Sequence, residues 1–302
     1  MFTNKTSLII PTRNRYKQIS RNLEYFKNNL ILFNEILIID SSSYSHKEKL
    51  KLVVKKYKNI KLFFCEPSSS KQRNLGLKKA NKKSKYIMFL DDDIYFYKNS
   101  FLKMDKTIKN EPRNTIGFSF NIINKKSLHF LDKIKKNFIF KLLKIYSDQP
   151  GKVTESGWHT KILNLKKDVY TDWLSTQAVV FFRKDLNNAI FEERLGQYSY
   201  LEDLDFSYRL KKNKKKMLKV VADAKYKSPL IIARHGFQFG KIEILNRFLF
   251  IKKNSFNYGY FIIGCFFRSF QSLIAGVIFF NLKSIKRFFG NLYGILITMK
   301  KN

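Results

Sequence analysis

Three consecutive carboxylates, Asp91, Asp92 and Asp93, follow the apolar run Ile87 to Leu90. Such a run reads as a buried strand, so the acids stand at its carboxyl end. Alternation along an extended chain would send Asp91 and Asp93 to the same side. Two carboxylates so placed can hold Mg²⁺ or Mn²⁺, hard ions that take oxygen ligands and bind readily alongside substrate phosphates. The competing reading, a solvated acidic turn, is harder to sustain in so basic a chain. Two more polar clusters follow apolar runs. Pro11-Thr12-Arg13 follows Leu8 to Ile10, and Asp40-Ser41-Ser42 follows Ile36 to Ile39.

The elements that must position these residues alternate. Strands are expected at 8–10, 36–39, 60–64 and 86–90. Between them, helical spacing covers Ile19 to Leu30, Leu50 to Tyr57 and Ser70 to Asn81. Strand–helix alternation means a mainly parallel sheet with helices on both faces, and ligands then sit outside the carboxyl ends of the strands. After Asp93 the pattern loosens. Residues 116–120 and 179–182 read as strands, and 124–167 resist assignment. Glu202 to Lys211 reads as a helix that opens with acids, which suits its positive N-terminal dipole. No internal repeat is present.

Five motifs in this order resemble glycosyltransferase family 2: Ser7 to Arg15 (SLIIPTRNR), Ile36 to Ser42 (ILIIDSS), Lys71 to Gly76 (KQRNLG), Phe89 to Asp93 (FLDDD) and Leu201 to Asp205 (LEDLD). The resemblance covers roughly residues 6–240. It implies the GT-A fold and a metal-dependent, inverting transfer of a sugar from a nucleotide-diphosphate donor to a hydroxyl. By resemblance, Pro11, Thr12 and Arg13 lie against the nucleotide, and Asp40 accepts hydrogen bonds from its base or ribose. Arg73 and Asn74 lie near the donor, with Gly76 following for close backbone approach. Asp91 and Asp93 match the family's Asp-x-Asp and, with Asp92 beside them, serve the metal and the diphosphate. His235, in Ala233-Arg234-His235-Gly236, resembles a late histidine that completes metal coordination. Glu202 and Asp203 resemble the Glu-Asp pair whose second acid is the catalytic base, a role the chemistry demands because a sugar hydroxyl is a poor nucleophile at neutral pH. Trp173, in Asp172 to Gln177, matches the acceptor-side Trp-x-x-Gly only in part, since Thr176-Gln177 stands where Gly is usual. It either stacks on an acceptor sugar or fills the core. Each motif also has a plainer reading: a solvated helix face for Arg73, a structural imidazole for His235, dipole-capping acids for Glu202 and Asp203.

The net charge of +36 points to polyanionic partners, although A/T-rich codon usage would also raise Lys throughout. A nucleic-acid-binding protein would explain that charge but not the clustered carboxylates, so no nucleic-acid partner is expected. A sugar nucleotidyltransferase would want a glycine-rich phosphate loop after the first strand, and Pro11 to Asn14 has no glycine. Two cysteines, Cys65 and Cys265, give no disulfide framework and suit a reducing compartment. No secretory leader is expected.

The expected organisation is a catalytic domain over 1–240, with a nucleotide-sugar half to 95 and an acceptor half from 96. A basic-aromatic helical appendage follows over 241–302. There Ile285, Phe288, Phe289, Leu292, Leu296 and Met299 form a stripe, opposite Lys283, Lys286, Arg287 and Lys300. That is an interfacial amphipathic pattern suited to anionic lipid, the plainer reading being a helical pair docked on the catalytic core. Tyr258 to Phe280 is apolar but broken by Arg268 and Gln271, short of a spanning helix. The expectation is a bacterial polysaccharide-building transferase, peripheral on the inner face of the cell membrane. Its acceptor would be a glycan or a lipid-linked glycan.

Overall fold

The computed structural model describes residues 1–112, 114–124, 138–228 and 234–301. Its contacts divide into two compact units, one of residues 1–124 and 162–230, the other of 125–161 and 231–302. Residues 138–161, expected in the acceptor half, thus group with the C-terminal helices. The helix that opens those helices starts at Phe237, ahead of the expected boundary at 240. Part of the unassigned 124–167 stretch, and Ala233 of the His235 motif, lie outside the described residues.

Among the described residues the first unit is built on a nine-stranded sheet of order β3-β2-β1-β4-β8-β6-β9-β5, with β7 paired to β9. The strands are β1 (Thr6–Thr12), β2 (Glu35–Asp40), β3 (Ile60–Phe64), β4 (Tyr86–Leu90), β5 (Tyr95–Phe96), β6 (Thr115–Ile122), β7 (Val169–Thr171), β8 (Ala178–Phe182) and β9 (Met217–Lys227). β1 to β4 run parallel, β8 runs antiparallel to β4 and β6, and β9 runs parallel to β6. The helices of this unit are α1 (Tyr16–Asn28), α2 (Tyr44–Val54), α3 (Ser69–Lys79), α4 (Ser100–Asn110) and α6 (Glu202–Lys214).

Period-two alternation along fully buried strands builds two cores, one on each face of the sheet. Leu8, Ile10, Ile38, Met88 and Leu90 face Ile19, Leu23 and Phe26 of α1 and Phe101, Met104 and Ile108 of α4. Ile9, Leu37, Ile39, Ile87 and Phe89 face the other way, with Phe206 and Leu210 of α6. Gly76 brings α3 against β1 as expected, because a Cβ there would collide with the Ile9 side chain.

The second unit holds α5 (Phe138–Leu142), α7 (Phe237–Asn254), α8 (Tyr258–Ile278) and α9 (Leu282–Lys301). Two expectations change here. α8 is one continuous helix, long and apolar enough to cross a membrane by length and composition, despite Arg268 and Gln271. Arg287, placed by periodicity on the solvated face, is buried in α9, where its guanidinium meets Glu243 of α7.

Candidate functional site

The strand ends converge as the topology requires. β1 and β2 are in register with Thr12 opposite Asp40, and Ser41 N donates to the Thr12 carbonyl at 3.1 Å. Gln72 of α3 locks both ends, its amide donating to the Thr12 carbonyl at 2.9 Å and the Ile39 carbonyl at 2.7 Å. Asp40 is 0% exposed. Its Oδ1 accepts from the Ser42 amide and hydroxyl, while Oδ2 is buried with no hydrogen-bond partner among the described residues. Burial pushes this carboxyl upward, against the pull of Ser42 and Lys47. A buried acceptor left unsatisfied is costly unless something donates to it. Pro11 is half-buried and Arg13 is exposed.

The acid cluster departs from simple alternation. The strand stops at Leu90, and Asp92 and Asp93 form a turn. The Arg15 guanidinium therefore reaches both, Nη1 donating to Asp92 Oδ1 at 2.8 Å and Asp93 Oδ2 at 2.7 Å. Thr12 Oγ1 donates to Asp92 Oδ2 at 2.6 Å, and Asn22 donates to the Asp92 carbonyl at 3.1 Å. Asp92 is buried and fixes the turn. Asp91 points to another partner, with Arg73 Nη2 2.9 Å from its Oδ1.

The same arginine joins the second pair of acids. Arg73 Nη1 donates to Glu202 Oε1 at 2.9 Å. Glu202 and Asp203 open α6 directly after Leu201, which takes φ 75°, a left-handed conformation that a bulky residue rarely adopts. Asp203 Oδ1 accepts from its neighbour's amide, Leu204 N, at 2.8 Å. Burial pushes the Asp91 carboxyl up to about 7. Arg73 opposes that rise, and Asp93, Asp92 and Asp203 add to it. Burial likewise pushes Glu202 upward, against Arg73 and with Asp203. The cluster is thus short of positive charge.

Two further residues belong to this cluster. Gln177 accepts the Asp91 amide on its carbonyl at 2.8 Å, and its side-chain oxygen accepts from the Tyr226 hydroxyl at 3.0 Å. Burial pushes the Tyr226 phenol well above its ordinary range, and Asp91, Asp203 and Asp93 push the same way. Tyr226 therefore stays neutral and donates. Sequence reasoning missed Tyr226 because it sits on β9, which was not recognised as a strand. Arg15 could have been found, since it closes the first motif.

The remaining expected residues are placed as follows. Asn74 spends its amide on the 191–193 segment: Nδ2 donates to the Phe191 carbonyl at 3.0 Å, and Oδ1 accepts from Phe191 N at 2.7 Å. Trp173 is buried in the segment joining β7 to β8. His235 is exposed in the second unit; partial desolvation lowers its pKa, as do the cations Arg287, Lys283 and Arg268. Among the described residues no group of three or more His, Cys, Asp or Glu forms a ready metal cage. The donor set at Asp91 and Asp93 still fits a hard divalent ion held jointly with a diphosphate. Such ions use one or two carboxylates and take their other ligands from water and phosphate. Burial is the main cause that raises Asp91, and the repulsion from Asp93, Asp92 and Asp203 that adds to it is what a cation would relieve.

A doubly wound, mainly parallel sheet with carboxylates at its strand ends defines an α/β fold of the GT-A type. The sequence model of glycosyl transferase family 2 matches residues 7–167, and the chain belongs to that family. An uncharacterized glycosyltransferase of Rickettsia conorii is 39% identical over 125 residues, which are 40% of this chain and 19% of that relative. One from Rickettsia felis is 35% identical over 141 residues, 44% of this chain and 22% of the relative. The matched region is thus about a fifth of the length of these relatives. Two solved structures share the fold. The structure of GalNAc-T7 with UDP, GalNAc and Mn²⁺ superposes with a TM-score of 0.62 at 15% identity, over 88% of this chain and 50% of that one. The mannosyltransferase PcManGT from Pyrobaculum calidifontis, in complex with GDP-Man and Mn²⁺, gives 0.52 at 12% identity, over 83% and 64%.

Proposed function

We propose that this chain transfers a sugar, with inversion, from a nucleotide-diphosphate donor to a hydroxyl of a glycan or lipid-linked glycan. The observation that carries the reading is the convergence of Asp91 and Glu202 on Arg73, with Asp203 beside them. Family membership and the nucleotides bound to the two solved structures support it.

Asp40, with its unsatisfied Oδ2, would accept hydrogen bonds from the base or ribose, with Pro11, Thr12 and Arg13 along the same edge. Asn74 would contribute by holding the 191–193 segment in place. Asp91 and Asp93 would hold Mg²⁺ or Mn²⁺. Bound there, the ion would offset the negative charge that builds on the departing nucleoside diphosphate.

The transfer itself is one displacement. The acceptor oxygen forms its bond to the anomeric carbon as the bond to the donor phosphate oxygen breaks, and the acceptor proton passes to a carboxylate. Asp203 suits that role better than Glu202, whose carboxylate is committed to the buried Arg73. Trp173 would line the acceptor side. Free thiols at Cys65 and Cys265 agree with a cytoplasmic reaction on the inner face of the membrane.

The test is donor turnover across a panel of nucleotide sugars with Mn²⁺ or Mg²⁺, followed by hydrolysis and by transfer to glycan acceptors. At least one donor should be consumed, faster with metal. If no nucleotide sugar binds or turns over, the reading fails.

A further inference from the structure

In the second unit α8 and α9 bury mostly small and polar residues and turn many of their large apolar ones outward, while α7 buries Ile244, Phe248, Phe250 and Ile251. On α8 the buried positions are Phe261, Gly264, Cys265, Ser269, Ser272 and Gly276. On α9 they are Ser284, Arg287, Gly290, Asn291, Gly294, Ile295 and Thr298. The fit is close: a Cβ on Gly290 would strike the Phe237 carbonyl, and one on Gly240 the Arg287 carbonyl. Polar glue completes it, since Glu243 accepts from Arg268 Nε at 3.0 Å and Arg287 Nη2 at 2.7 Å.

The outward face is the reverse. Phe266, Phe270, Ile274 and Val277 are exposed at spacings of four, four and three, which is one face of α8 with no charge on it. The turn that follows exposes Phe279, Phe280 (94% exposed) and Leu282. The patch continues onto α9, because the Phe270 and Phe288 rings lie 6.4 Å apart and Phe288 and Phe289 5.2 Å. Leu296 and Met299 extend it. Only 33% of the most apolar window of α8 is buried, unlike the core helix of a water-soluble bundle.

Small and polar residues inside with large apolar ones outside is the packing of helices whose surroundings are lipid, where apolar burial gives no drive to associate. Soluble monomers rarely expose so large a contiguous apolar surface. The charges decide what covers it. Lys283, Lys286 and Lys300 are exposed on α9, and the one acid of these helices, Glu243, is buried. The exposed charges of these helices are therefore all cationic. The charge-free row from Phe266 to Val277 rises only about 17 Å at 1.5 Å per residue, against roughly 30 Å of hydrocarbon. That suits immersion in one leaflet rather than a crossing.

We propose that α8 and the apolar side of α9 lie in the surface of an anionic lipid bilayer, with Phe266, Phe270, Ile274, Val277 and the 279–282 turn among the acyl chains. Lys283, Lys286 and Lys300 meet the lipid phosphates. This stands on the second unit alone and does not depend on the transferase reading.

The test is co-sedimentation of the full chain with vesicles of phosphatidylserine and phosphatidylcholine, against phosphatidylcholine alone, at low and high salt. Wild type should pellet with the anionic vesicles and release partly at high salt. Phe266→Ser/Phe270→Ser/Ile274→Ser changes only outward positions and should weaken vesicle affinity at least about tenfold with an unchanged melting curve. Lys283→Glu/Lys286→Glu/Lys300→Glu should abolish the preference for anionic over neutral vesicles. Wild type left in the supernatant at low salt overturns the proposal. So does a serine variant that pellets as wild type does. A vesicle-free dimer in sedimentation velocity that the serine variant abolishes would assign the face to a second copy and overturn it as well.

Discussion

The Arg73 guanidinium bridges Asp91 and Glu202, 2.9 Å from a carboxylate oxygen of each, and so ties the end of β4 to the start of α6. Arg73 is only 3% exposed. Its planar fork can serve two carboxylates at once, whereas an ammonium is a point charge. Arg73→Lys should therefore keep charge but lose one of the two bonds. Losing a hydrogen bond to a charged group costs about 1.5–3 kcal/mol, so a clear fall in melting temperature is expected. Donor turnover should fall as Glu202 shifts. A variant that melts and turns over like wild type would show that the bridge is incidental.

Asp203 separates base from binding. Asp203→Asn keeps shape and the acceptor for Leu204 N, but it cannot take a proton. Donor affinity should hold while turnover drops about 10²–10⁴-fold. Turnover within a few-fold of wild type would move the role of base to Glu202. Single-turnover kinetics at saturating donor is the measurement.

Asp93 already carries a cation, Arg15, at 2.7 Å. A divalent ion would compete for that carboxylate, and Asp93→Ala would leave Asp91 alone to hold it. Calorimetric titration of donor with and without Mn²⁺ should show strong metal enhancement in wild type and little in the variant. Protons compete too. Because the Asp91 carboxyl is raised to about 7, it is protonated below that pH and ionised above it, so the enhancement should fade as pH drops below about 7. Equal metal-independent affinity in both proteins would remove the metal from this site.

The parallel strands were legible because β1, β2 and β4 are buried on both faces and so read as unbroken apolar runs. The acids at their ends were legible for the same reason. β9 was not, because Lys219, Asp223, Lys225 and Lys227 break up its apolar residues, and a register shift sends Leu218 and Val220 to one core but Val221, Ala224 and Tyr226 to the other. That cost the sequence reading Tyr226. α4 was hidden likewise, with Phe101, Met104 and Ile108 spaced among lysines. In the last helix, hydropathy marks the apolar stripe but not which face packs. Ser284, Gly290, Asn291 and Gly294 pack inward through close backbone contact, a property of small residues that periodicity of apolar types does not register.

Glu243 is the carboxylate on which the second unit depends. It is buried on α7, with Arg268 Nε at 3.0 Å and Arg287 Nη2 at 2.7 Å. Burial alone would raise its pKa, but Arg268, Arg287 and Arg247 outweigh that and hold it at about 2. The sign follows from the unfolded value of 4.5, which lies above the folded one. Ionised Glu243 therefore stabilises the fold above about pH 4.5, and that contribution is lost as pH falls toward 2. At about 1.4 kcal/mol per unit the loss is roughly 3 kcal/mol. Glu243→Gln keeps the shape and leaves the guanidinium groups of Arg247, Arg268 and Arg287 without their anion. It should cost about 3–5 kcal/mol at neutral pH and flatten the acid dependence. Trp158 reports on this unit directly, because Arg247 stacks on its ring at 3.9 Å. The chain has 2 tryptophans, so in a Trp173→Phe background the fluorescence is that of Trp158 alone. Thermal unfolding followed at Trp158, at neutral pH and between pH 5 and 2, should show an early transition in Glu243→Gln that varies little with pH. If Glu243→Gln instead melts with wild type at neutral pH and keeps the same acid slope, the cluster is held by packing and not by its ion pairs.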